Sequence, residues 1–155
     1  IHGYRADFFV PPNGPFNNLL EYDSAKFGIK FISASKIQRE PQALGKYKTK
    51  FHWLGQSNIY GQKYITRNCF FEPGNHTKDW VDSCMSDIEM AFYYNKPAVI
   101  SSHRVNYVGS LDIKNREHGN KQLNNLLKNL LKKWPETEFV STSQLGYIIK
   151  DKQHD

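Results

Sequence analysis

The sequence predicts an α/β fold: parallel strands joined by crossover helices, with one β-hairpin excursion. Three observations predict it. Short apolar runs at 8–10, 29–32, 97–100 and 138–141 alternate with longer segments whose apolar residues recur at helical spacing. Strands separated by helices pair in parallel, because the helix returns the chain to the same end of the sheet. Between residues 33 and 72 the alternation breaks into short β-like pieces, as when a hairpin leaves a regular pattern. Four such parallel strands make an open sheet or part of a barrel.

Residues 8–10 form the first strand, stopped by Pro11-Pro12-Asn13-Gly14. Pro15 and Phe16 open a helix with Phe16, Leu19, Leu20 and Phe27 on one face, and Gly28 ends it. Residues 29–32 are the next strand. In the excursion, 47–53 and 63–67 are β-like and pair as a hairpin, with Tyr60-Gly61-Gln62 near its turn. Residues 77–95 are helical. Thr77 is a good N-cap, Asp79 and Asp82 suit the positive end of the helix dipole, and Trp80, Val81, Cys84, Met85, Ile88 and Phe92 make an apolar stripe. Pro97 opens the strand at 97–100, and 104–115 is a polar loop. Residues 121–134 are the clearest helix, with Leu123, Leu126, Leu127, Leu130, Leu131 and Trp134 in register before Pro135. A strand at 138–141 and a short helix at 143–150 close the chain.

The 155 residues make one domain, or part of a larger one, and their 39% hydrophobic content supports a packed core rather than disorder. Aromatic residues are many for this length, and those outside a core suit sugar-binding clefts. The net charge of +6 would suit an anionic partner, but Lys and Arg are dispersed along the chain. The local clusters at 46–50 and 128–133 read as a lysine-protected edge strand and a solvated helix face. No nucleic-acid-binding motif occurs, so nucleic acid is set aside as a partner. No apolar run approaches the roughly 20 residues that span a membrane. Cys69 and Cys84 allow at most one disulfide and have no zinc-site spacing, and Cys84 reads as a small buried hydrophobe. Asn75-His76-Thr77 matches a glycosylation sequon. The chain opens Ile1-His2-Gly3, as if cut from something longer, and both an exported and a cytoplasmic location fit.

The chemistry gathers where strands end. Ser101, Ser102, His103, Arg104 and Asn106 follow the strand at 97–100, and α/β folds place ligands at the carboxyl ends of strands. A histidine there transfers protons, binds metal or holds a substrate hydroxyl. Pro11-Pro12-Asn13, Asn68 to Glu72, and Ser141-Thr142-Ser143 fall at other strand ends on the same rim. Glu72 sits among Phe70, Phe71 and Pro73, where a carboxyl group can serve as a general acid, or else accept bonds from loop N–H groups. Asp79 reads as a first-turn helix charge. His52 and Trp53 end the lysine-rich strand and either line a sugar site or form a half-exposed hairpin pair. His2, His118 and His154 read as terminal or surface residues.

A set of motifs in order along the chain carries a resemblance. Phe8-Phe9-Val10-Pro11-Pro12-Asn13, Gly28-Ile29-Lys30-Phe31, 67–73, Asp79-Trp80-Val81-Asp82-Ser83-Cys84, 101–109 and 133–139 together resemble a divergent branch of the polysaccharide deacetylase-like proteins. The resemblance implies a distorted (β/α) barrel, with residues 1–155 as a single domain corresponding to its C-terminal portion. The family's Asp-Asp pair and His-x-x-x-His motif do not occur here. Phe9-Val10-Pro11-Pro12 stands where the family has Arg-x-Pro-Tyr, and Asp79-Trp80 matches its Asp-Trp pair. Ile100-Ser101-Ser102-His103 is similar to the strand end whose His is the general acid, which makes His103 the catalytic residue. The resemblance also implies a divalent metal such as Zn²⁺, for which this chain shows no identifiable ligands.

These readings predict a carbohydrate-active hydrolase that removes acetyl groups from a glycan. His103 acts as acid, and Trp53, Asn68, Glu72, Arg104 and Asn106 shape the substrate site. Two alternatives stand beside it: a glycoside hydrolase on a related barrel, using Glu72 and a second carboxylate, and a non-catalytic glycan-binding domain. The strand edges of a partial barrel predict either self-association or an absent N-terminal portion.

Overall fold

The computed structural model describes residues 6–12, 15–110 and 112–152. Asn13, His2 and His154 lie outside the described residues. The fold is mixed α/β, and the chain divides into two compact units: one runs to Arg67 and resumes at Val140, the other runs from Asn68 to Phe139. The described strands form three small sheets.

In the first unit, β1 (Phe8–Phe9), β2 (Phe31–Ile32) and β5 (Lys63–Tyr64) make a parallel sheet in the order β1-β2-β5. Helix α1 (Leu19–Lys26) is the crossover between β1 and β2. Its end is a Schellman turn: Gly28 takes a left-handed φ of 87°, its N–H bonds Ala25 O, and Ile29 N–H bonds Ser24 O. The expected apolar face of this helix is corrected. Phe16 is in the core but precedes the helix, whereas Leu19 and Phe27 are exposed, Phe27 at 80%. The residue α1 buries is Glu21, because neutral donors from Asn18, Asn58 and Tyr64 meet its carboxylate.

The hairpin exists, but with a different partner. β4 (Tyr47–Phe51) pairs antiparallel with β3 (Ile37–Pro41), not with 63–67, which instead contributes β5 to the parallel sheet. β3 is charged and ends in proline, so it has no strand pattern in sequence. Its inward residue is Gln38, buried by bonds to Phe16 O and His52 rather than by apolarity. Helix α4 (Thr142–Asp151) also packs in this unit, where Gly146 allows the Phe31 ring to approach its backbone.

In the second unit, β6 (Cys69–Phe70), α2 (Trp80–Tyr93) and β7 (Ile100–Ser101) form a βαβ unit with parallel strands. Asp79, not Thr77, caps α2, its carboxylate accepting from Asp82 N–H at 3.0 Å. Asn95, at φ 53°, closes it in a second Schellman turn just before Pro97. Helix α3 (Ile113–Lys133) starts earlier than its leucine stripe, because Asp112 caps a first two turns that are polar. Cys69, Phe71, Val81, Cys84, Ile88, Leu126 and Leu130 make one core, with Phe92 and Trp134 edge to face beside it. Both cysteines are free and buried, and burial pushes the Cys84 thiol up to about 12. No strand forms at 138–140. Ser141 belongs to a capping box with Gln144, so the chain turns directly into α4. Among the described residues, no helix is long and apolar enough to cross a membrane.

Candidate functional site

β6 and β7 lie in parallel register, Cys69 beside Ile100 and Phe70 beside Ser101. Phe71 N–H continues the ladder to Ser101 O at 2.9 Å. Two residues past each strand, at the carboxyl end of the pair, stand Glu72 and His103. Their meeting is thus a consequence of register. Glu72 Oε1 lies 2.7 Å from His103 Nδ1, and Oε2 accepts from His103 N–H at 3.4 Å. A carboxylate only accepts, so Nδ1 carries the proton, and in the neutral ring Nε2 is left with a lone pair.

Asn106 holds this pair. It sits in a 3₁₀ turn (Arg104–Tyr107) and is buried. Its Nδ2 donates to Glu72 Oε2 at 2.6 Å and to His103 O at 2.8 Å, and its Oδ1 accepts from Gly74 N–H at 2.9 Å. Every polar atom of the Asn106 side chain is therefore satisfied, and Glu72 is gripped from two sides. His103 itself is 70% exposed in its side chain, and Nε2 has no partner among the described residues. The arrangement is an oriented carboxylate–imidazole dyad on an open surface, able to accept or donate a proton at Nε2. Beside it, the Tyr107 and Ser102 hydroxyls lie 2.7 Å apart, and burial raises the Tyr107 phenol, which keeps it a neutral hydroxyl. A cavity of about 600 Å³ adjoins the support of the dyad, with Gly74 and Val105 in its wall.

Of the residues singled out in sequence, Glu72, His103 and Asn106 come together. Arg104 is exposed on the same turn and makes no side-chain bond among the described residues. Asn68 is reassigned. It precedes β6, at the opposite end from Glu72, and clamps the strand pair by accepting from Val99 N–H and donating to Pro97 O. Trp53 belongs to the other unit, where it is 69% exposed. His52 does not line a sugar site. It is buried, stacked on Tyr64 with ring centres 3.9 Å apart and bonded to Gln38. Asp79 and Ser141 are helix caps.

Two glycines were missed in sequence. A Cβ on Gly74 would stand 2.9 Å from Asn106 Oδ1, and one on Gly119 would overlap the Asn106 carbonyl. The signal for Gly119 was available, since a glycine inside a long helix calls for a packing reason. No group of three or more His, Cys, Asp or Glu side chains that could hold a metal occurs among the described residues. No family model, no curated protein and no solved structure matches the chain.

Proposed function

We propose that this chain is a carbohydrate-active hydrolase that removes acetyl groups from a glycan, with His103 as its proton-transfer group. One observation carries the reading: the 2.7 Å bond from His103 Nδ1 to Glu72, which leaves Nε2 free at the carboxyl end of a parallel strand pair. A neutral imidazole held this way takes a proton from water at Nε2 while the water oxygen bonds to the acetyl carbonyl carbon. The imidazolium, stabilised by Glu72, then returns that proton to the sugar oxygen or nitrogen as its bond to the acetyl carbon breaks. Acetate and a free hydroxyl or amine leave. The open surface around His103 suits a polymer rather than a small enclosed substrate, with exposed Arg104 within reach of the same strand end. The parallel strands and crossover helices are consistent with the deacetylase-type barrel, which remains part of the proposal.

Glu72 is poorly placed for the glycosidase alternative. Both its oxygens are already engaged by donors from His103 and Asn106, so neither is turned out as an acid towards a glycosidic oxygen.

The test is acetate release from N- and O-acetylated oligosaccharides, run with added Zn²⁺ and with chelator. His103→Ala is expected to lower the rate by about 10²–10⁴-fold, and Glu72→Gln to lower it less. An unchanged rate in His103→Ala, or no release by the unmodified chain in either condition, overturns the reading. Glycan binding without release then favours the binding-domain alternative.

A further inference from the structure

The second unit contains another pair of imidazoles, apart from the dyad. His76 lies in the loop after β6 and His118 on the second turn of α3. Their rings stand with centres 4.9 Å apart at 60°. No ring nitrogen of either has a hydrogen-bond partner among the described residues. Both side chains border two cavities, of about 600 Å³ and 240 Å³.

We propose that His76 and His118 form a two-imidazole site for a divalent transition-metal ion. The ring separation, ordinary for an edge-to-face pair, also admits a metal between the two rings. A metal bonded at about 2.0–2.1 Å to one nitrogen of each ring lies ~3.2 Å from each ring centre, which puts the centres ~4.5 Å apart at a right angle and ~5.2 Å apart at a tetrahedral angle. The observed 4.9 Å falls between these. The choice of metal follows from the neighbours. Asp112 and Lys114 line the larger cavity, and Asp79 and Lys78 the smaller, so charge is balanced and a hard cation such as Mg²⁺ or Ca²⁺ gains nothing. Selection rests on imidazole nitrogen, which favours Cu²⁺, Ni²⁺ and Zn²⁺. Among the described residues the two imidazoles are the ligands proposed, and the remaining positions are open to water or an exogenous ligand from the cavity.

The site is independent of the acetyl-transfer reading and is tested by binding alone. Calorimetric titration with Ni²⁺ is expected to give one saturable equivalent per chain and a rise in Tm. Cu²⁺ in the same site shows two nitrogen couplings by electron paramagnetic resonance. His76→Ala and His118→Ala each abolish the saturable step and leave one coupled nitrogen at most. His76→Gln and His118→Gln, which preserve size and polarity, do the same without disturbing the fold. His103→Ala keeps the full site. Absence of saturable binding, or binding that survives substitution of both His76 and His118, overturns the proposal.

Discussion

Gly119, on the second turn of α3, lies directly against the backbone carbonyl of Asn106, at a spacing no Cβ could occupy. The 3₁₀ turn that carries Asn106 is thereby seated on the helix, and Asn106 in turn holds Glu72 against His103. A helix-destabilising residue is the condition for the dyad's geometry.

Gly119→Ala therefore reverses the usual effect of removing a helical glycine. Propensity alone would stabilise the helix by about 1 kcal/mol. Forcing the 3₁₀ turn away costs about 1–3 kcal/mol. Urea unfolding is expected to show a net loss of up to about 2 kcal/mol. A more stable variant would contradict the close contact.

Asn106→Ala strips Glu72 of one donor and leaves the Gly74 N–H without its acceptor. The expected loss is about 1–3 kcal/mol of stability. The more specific readout is the tautomer of His103. Nitrogen NMR of the unmodified chain should show the proton on Nδ1, and Glu72→Ala should release it to a mixture. A His103 protonated at Nε2 in the unmodified neutral form would remove the basis of the dyad.

His52 provides the pH dependence. Burial, then the nearby Lys50 charge, holds its pKa below the ordinary value, and its Nδ1 is buried without a partner. A folded-state pKa below the unfolded one, about 6.5, means the unfolded chain binds the proton more readily. The stability tied to neutral His52 is thus fully present above about pH 6.5 and is lost as pH falls through that value towards the folded pKa. His52→Gln should flatten the fall in denaturation midpoint between about pH 7 and 5. An identical slope in the variant would assign the acid sensitivity elsewhere.

Ser141→Ala removes one half of the capping box that starts α4. The expected cost is about 0.5–2 kcal/mol. Ser141→Asp should restore most of it, since an aspartate accepts the same Gln144 N–H. Equal stability of all three chains would show that α4 needs no cap.

The legible parts of this molecule are those written in contiguous residues. The stripe from Trp80 to Phe92 and the leucines of 123–131 marked α2 and most of α3. Gly28 marked the stop of α1. His103 and Glu72 were visible as chemistry at strand ends. The illegible parts share a cause. Gln38 and Glu21 are buried by hydrogen bonds, which leave no apolar signature. The first two turns of α3 are polar, so only the Asp112 cap announces them. Phe139 and Val140 look like a strand but find no ladder to join, and both are exposed.

The sequence by itself determined the mixed α/β character and the positions of its amphipathic helices, because side-chain periodicity and capping act within a few residues of one another. Only the tertiary structure decided that Glu72 and His103, 31 residues apart, are hydrogen-bonded, and that His76 lies beside His118. Both meetings depend on the β6–β7 register and on how α3 carries Gly119 beneath the Asn106 turn. Those are long-range pairings, in which the free energy of one contact is set by the whole core that brings the two segments together.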